Sequence, residues 1–204
     1  MTKLGRPLVM SAEDRRKEIF NAAEQLFGEK GFEQVSMAEI AAAVGMSKKT
    51  LYVHFSDKRD LLKSLVSSSY IWPENAFKDF SQDQIQQLKQ CLKMIAVHVL
   101  SERHIKLCRL AIVEQIGVEG LSQTFYEMGI AASRDHLIAT IDQISKQQLN
   151  LKLSSEILAD MLFGASISKP FIDLLFVNRQ VDMKEIDQQI DYSVDALFVS
   201  SVLK

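Results

Sequence analysis

The sequence predicts an all-α protein in two parts, a small N-terminal three-helix domain and a larger C-terminal helical bundle. Three observations carry this. Only three prolines and eight glycines occur in 204 residues, and no alternating β-branched run is sustained long enough to make strands. Apolar residues recur at helical spacing along nearly the whole chain. Short, capped helical segments crowd the first third, and longer ones follow a polar connection at Pro73 (PENAFKDFSQDQ).

In the first predicted helix, Ile19, Ala22, Ala23, Leu26 and Phe27 make a core-facing stripe at i, i+3, i+4, i+7, i+8. Ser11 with Asp14 resembles a capping box, and Gly31 suits the helix exit. Ser36 followed by Glu39 is a better box and opens a second helix through Val44, which Gly45 ends. A third short helix is predicted from Ser47 to Val53, and a fourth begins near Ser56 or Asp57.

Beyond the connection, Ile85, Leu88, Leu92, Ile95 and Val99 form one amphipathic face. A denser apolar helix is predicted over 105–117, ending around Gly117 and Gly120, and another over 121–148 with Gly129 inside it. Residues 157–177 are apolar on nearly every side, with a kink expected at Pro170. Ile186, Ile190, Val194, Leu197 and Phe198 then form a seam close to a heptad. A helix apolar all round must be covered on both sides. One cover is the chain's own core. The other is expected to be a second copy across a symmetric four-helix interface, with Leu158, Leu162, Ile190, Val194, Leu197 and Phe198 as its region. The alternative is that 157–177 is the central helix of a monomeric bundle.

The hydrophobic content of 47% and charged content of 25% are those of a soluble globular protein. No apolar run reaches the roughly 18 residues that span a bilayer, and the start MTKLGRP is not a signal peptide, so no membrane partner and a cytoplasmic location are expected. Cys91 and Cys108 lack metal or CxxC spacing and are expected to be reduced thiols. Net charge is −2, yet residues 1–63 hold 11 Lys/Arg against 9 Asp/Glu. That asymmetry matters only if those cations converge on one surface.

Residues 36–55 hold the most informative spacing. Ala41 precedes Gly45 by four positions and Leu51 follows it by six. A small residue lets two helices approach, glycine permits the sharp turn, and the later apolar side chain locks helix against helix. This is the spacing of a helix-turn-helix. With Leu51 and Phe55 facing the core, Lys48, Lys49, Thr50, Tyr52, Val53 and His54 are left on or near the outer face. Lysines at such a helix start suit phosphate, Thr50 suits a base edge or a phosphate, and Val53 suits a thymine methyl. Tyr52 and His54 carry short polar tips, and Lys58 is placed to complete a clamp on the phosphates. A catalytic reading of Ser47 and His54 fails on geometry. Seven residues separate them, roughly 10 Å at ~1.5 Å per residue, beyond hydrogen-bond reach. No Gly-x-Ser-x-Gly elbow surrounds the serine.

Residues 15–62 resemble the DNA-binding domain of the TetR (tetracycline-repressor) family of bacterial transcription regulators. The likeness rests on Ala22-Ala23, Leu26-Phe27, Gly31-Phe32, Ile40-Ala41, Gly45, Thr50-Leu51-Tyr52, His54-Phe55, Lys58 and Leu61. It implies a homodimeric, non-enzymatic regulator, a repressor in the usual case, with DNA-binding domain 1–62 (including an arm, 1–10) and ligand-binding and dimerisation domain 63–204. By the same resemblance Lys48, Lys49 and Thr50 enter the major groove of a double-stranded operator. Tyr52, His54 and Lys58 hold phosphates, Ser36 contacts the DNA backbone from the start of the second helix, and Ser47 at the start of the third is a further DNA-binding residue. Many members carry glycine where Lys49 stands, which leaves open whether Lys49 meets a base or a phosphate. The segment 107–129 is similar to one found in a subset of these regulators and names no ligand.

Gly5-Arg6-Pro7 is either a disordered tail or an arm whose Arg6 enters an adjacent minor groove. His98, Arg109, Glu114, Tyr126 and His136 are polar groups in or beside apolar helices, and the first four are candidates to orient a small-molecule effector. Met94, Met128 and Met161 are candidates to soften such a pocket or are plain core. His98 and His104 lack the clustered carboxylates or thiolates of a metal site, and no cofactor is expected. Two other readings stand beside the ligand-released repressor: a DNA-binding regulator controlled by a protein partner, and a helical small-molecule enzyme.

Overall fold

The computed structural model describes residues 11–69, 83–114, 120–144, 153–177 and 180–198. The Pro73 connection, the arm with Arg6, and Gly117 lie outside them. All the regular elements described are helical. They are α1 (Ala12–Lys30), α2 (Met37–Ala43), α3 (Lys48–His54), α4 (Lys58–Ser69), α5 (Gln84–Val99), α6 (Glu102–Val113) and α7 (Leu121–Phe125). α7 runs through a π-helical segment (Tyr126–Ala131) into α8 (Ala132–Asp142). α9 (Ser155–Phe163) runs through a second π segment (Gly164–Ser168) into α10 (Lys169–Val177), and α11 (Met183–Leu197) follows. No helix among the described residues is long and apolar enough to cross a membrane.

The first four helices stand where their capping residues place them. Ser11 Oγ accepts from Asp14 N at 3.0 Å, and Gly31 leaves α1 at φ 81°. Ser36 and Glu39 form a reciprocal box: Glu39 N donates to Ser36 Oγ at 3.2 Å, and Ser36 N to Glu39 Oε2 at 2.9 Å. These bonds and Lys30, 3.0 Å away, lower the Glu39 carboxyl pKa to about 2. Asp57 opens α4 by accepting from Arg59 N and Asp60 N.

Two apolar cores result. One joins Ile19, Phe27, Leu51, Phe55, Leu61 and Leu65 of α1–α4 to Leu107, Cys108, Ala111, Leu121 and Phe125 of α6 and α7. The other packs Leu88, Leu92 and Ile95 of α5 against Leu137, Leu158, Leu162, Ile190 and Val194. The boundary expected at 62/63 falls inside α4, whose Leu61, Leu62, Leu65 and Val66 all lie in the first core. Across the second core, Lys89 and Lys93 of α5 pair with Asp195 and Asp191 of α11 at 2.7 and 2.9 Å.

Several expectations are corrected. α6 begins at Glu102, because Ser101 accepts from His104 N and caps it. The helix expected over 121–148 is broken by a π segment around Gly129 and reaches Asp142, with 145–152 outside the described residues. The irregularity expected at Pro170 is the π segment just before it. Proline has no N–H and its ring crowds the carbonyl four residues back, so a widened turn at 164–168 makes room for it within a continuing helix.

The largest correction concerns the expected dimer residues. Leu158, Leu162, Ile190, Val194 and Phe198 are at most 1% exposed, and Leu197 packs against the same core. They are sealed inside this one chain, because the α11 seam closes on α5 and the second π segment. What remains outside is the opposite apolar side of α9 and α10: Ile157, Met161, Ile172, Phe176 and Val177, with Phe176 75% exposed.

Candidate nucleic-acid interface and ligand cavity

The α2–α3 turn is built as the spacing predicted. Gly45 sits at φ 65°, in the left-handed region, and Met46 N donates to Ala41 O at 2.9 Å. Ala41, Leu51 and Phe55 are buried where the two helices meet α1, and the Phe55 ring lies 5.7 Å from that of Phe20. The Arg16 guanidinium covers Phe55 at 4.9 Å.

With Leu51 at 0% exposure, the other face of α3 is open: Val53 is 80% exposed, Tyr52 44%, and Lys48, Lys49 and Thr50 are exposed beside them. Lys48 Nζ lies 5.7 Å from the Tyr52 ring centroid, so cation and phenol share one patch. Ser47 caps α3 by accepting from Thr50 N at 3.1 Å, and its hydroxyl lies 2.8 Å from that of Thr50. The Ser36 hydroxyl is likewise spent on Glu39. His54 is half-buried at the end of α3.

Lys58 is placed differently from expectation. Its ammonium donates to Phe32 O at 2.6 Å and Glu33 O at 3.2 Å and covers the Phe32 ring at 4.3 Å. With carbonyls at those distances it braces the α1–α2 loop against α4 and is not held out for a phosphate. Arg6 lies outside the described residues.

A cavity of about 280 Å³ lies between α5, α6, α7, α8, α9 and α10. Ile95, Phe125, Leu137, Phe163 and Phe171 give it an apolar wall, and His98 and His104 stand in it with ring centroids 4.9 Å apart. Burial lowers the pKa of both imidazoles, His104 to about 4. Burial also pushes the Cys108 thiol up to about 12. Among the described lining residues the charged ones are Arg134 and Asp160, which bind each other, Nε to Oδ1 at 2.8 Å and Nη2 to Oδ2 at 2.9 Å.

Of the four effector candidates, only His98 lines this cavity. Arg109 donates to Leu174 O and Leu175 O at 2.7 and 3.0 Å, holding the last turn of α10 to α6. Both Arg109 and the buried Glu114 line a separate open groove of about 730 Å³ between α1 and α6. Tyr126 is 54% exposed on the first π segment, and none of the three named methionines is among the cavity's lining residues. Sequence reasoning missed Cys108, Phe125, Phe163 and Phe171 as lining residues because all four sit at ordinary core positions. The sequence offers His104 only as a metal-ligand candidate, although its place in a helix of apolar neighbours is a usable signal.

A family model described as bacterial regulatory proteins, tetR family, matches residues 19–65, the span from α1 through α4 that holds this turn. The match covers the helix-turn-helix region alone, so that region is similar to the tetR family of bacterial regulatory proteins. The HTH-type transcriptional regulator TtgR of Pseudomonas putida is 28% identical over 92 residues, 45% of this chain and 43% of that protein. The chain thus matches less than half the length of that relative. The HTH-type transcriptional regulator UidR of Escherichia coli is 26% identical over 166 residues, 75% of this chain and 80% of its own. Among solved structures, NalD, the secondary repressor of the MexAB-OprM multidrug efflux pump in Pseudomonas aeruginosa, superposes with a TM-score of 0.67 at 20% identity. That likeness covers 93% of this chain and 100% of NalD, and it extends the shared fold across the C-terminal bundle.

Proposed function

We propose that this chain is a homodimeric TetR-type DNA-binding repressor, released from its operator by a small molecule taken into the cavity between α5 and α10. The observation that carries the first half is the α3 surface: Lys48, Lys49, Thr50, Tyr52 and Val53 exposed around a fully buried Leu51. Cations there serve phosphates, and Thr50 and Val53 serve base edges. Ser36 and Ser47, whose hydroxyls are taken by the helix starts, set the angle at which α2 and α3 approach, and Tyr52 and His54 flank the contact.

Support for release comes from shared walls. Cys108 and Phe125 line the cavity and also belong to the core that holds α1–α4. A ligand that binds better when α6 and α7 shift therefore favours a shifted pair of recognition helices, by as much as its affinity differs between the two states. Arg103 of α6, 2.9 Å from Glu24 of α1, ties the same elements at the surface.

The test is operator binding across salt concentrations with Lys48→Ala. Loss of one phosphate contact lowers the slope of log K against log salt by about 0.9. Relaxed discrimination at one base pair is the outcome if Lys48 reads a base. Unchanged affinity, slope and discrimination would overturn the assignment of α3.

A further inference from the structure

The cavity itself limits what the effector can be. At about 280 Å³ it is just below the roughly 300 Å³ at which pockets for drug-sized ligands begin, which fits one or two rings. Its apolar wall includes three phenylalanines, and the His104 ring lies 5.6 Å from Phe125 and 6.3 Å from Phe171. Aromatic rings at these spacings accept another ring edge-on or offset.

Charge narrows the class further. The Arg134 guanidinium and the Asp160 carboxylate bind each other through two bonds at the solvent-exposed edge of the cavity, and none of the other described lining residues carries a charge for an ionised ligand to meet inside. An ionised ligand would lose its hydration without gaining a counter-ion, which is strongly unfavourable. His98 and His104 are neutral near pH 7, and a neutral imidazole both donates and accepts. A hydroxyl group has the same dual character.

Resting on the reading of this cavity as the effector site, we infer that the effector is a small, uncharged, hydroxylated aromatic. Its ring lies among Phe125, Phe163 and Phe171, and its hydroxyl is held by the His98–His104 pair. His98 and His104 are thereby specificity-determining residues, and the uncharged interior wall excludes charged analogues.

Equilibrium dialysis of the full-length protein against four matched probes tests this: 2-naphthol, naphthalene, 2-naphthoate and 2-naphthylmethylammonium. The expected result is that 2-naphthol binds at least about tenfold more tightly than naphthalene, the size of one useful hydrogen bond, while neither ion binds measurably. In His98→Phe and, independently, His104→Phe, the preference falls to within about threefold while naphthalene binding persists. Ser133→Phe, which fills the cavity from a half-buried position, should abolish binding of every probe. Equal binding of 2-naphthol and naphthalene, or tighter binding of either ion, would overturn the ligand class. If that binding is still lost in Ser133→Phe, the cavity stands as the ligand site. No binding of any probe, or binding indifferent to Ser133→Phe, would overturn both the class and the cavity reading.

Discussion

Leu51 and Val53 stand two residues apart on α3 and meet opposite surroundings, one at 0% exposure and the other at 80%. Leu51 fastens the helix; truncating it to alanine should cost about 2–5 kcal/mol, read from the denaturant midpoint. A smaller loss than that range would mean α3 is not held as described. Val53→Ala should leave that midpoint unchanged and alter binding only where a thymine methyl is read. Lys58→Ala should lower stability without changing the salt slope of DNA binding, since its ammonium is engaged with Phe32 O and Glu33 O. His104 sets a pH dependence. Its folded pKa, about 4, lies below its unfolded value, so the unfolded chain binds the proton first. Stability is full above about pH 6.5 and falls towards pH 4, by about 3 kcal/mol from this group at 1.36 kcal/mol per unit. The facing groups that modulate this are His98, Arg103 behind it, and the neutral Cys108. In His104→Phe the slope of stability over that window should flatten, and a slope equal to the parent's would contradict the assignment.

At the scale of elements, capping was the most legible signal. Ser36 with Glu39, Ser47, Gly31 and Gly45 all do in the structure what their spacing implied, because a cap is a local arrangement of four or five residues. Ser36→Ala should cost about 1 kcal/mol of thermal or denaturant stability. It should weaken DNA binding only through the placement of α2. What the sequence left obscure was longer in range. The π segments shift the hydrogen-bond register without changing the apolar pattern, so periodicity could not reveal them. Both adjoin the cavity: Gly129 and Ile130 belong to the first, and Phe163 and Phe171 flank the second. The apolar stripe of residues 157–177 was correctly read as two-sided, yet periodicity does not say which side meets the chain's own core. A heptad spacing looks the same inside one chain and across an interface, so the α11 seam reads as intermolecular from the sequence alone.

For the whole molecule, the two cores give the helices two jobs. The first binds the helix-turn-helix to α6 and α7, and the second fixes the bundle around α5 and α11. The exposed apolar side of α9 and α10 then becomes the proposed homodimer face. Phe176→Glu should convert the dimer to monomer by light scattering while preserving helicity, and Leu197→Glu should instead unfold the bundle, since Leu197 packs on the chain's own core. A dimer unaffected by Phe176→Glu would move the interface elsewhere. In the proposed dimer, two α3 helices would face one duplex. The most direct measurement of the whole account is selection of duplexes from randomised DNA by the full-length protein. The account predicts a pseudo-palindrome whose half-sites lie about one helical turn apart, roughly 34–36 Å, or a multiple of it, with enrichment lost in Thr50→Ala or Lys48→Ala. Recovery of no common sequence, or of a single unpaired half-site indifferent to both substitutions, would contradict it.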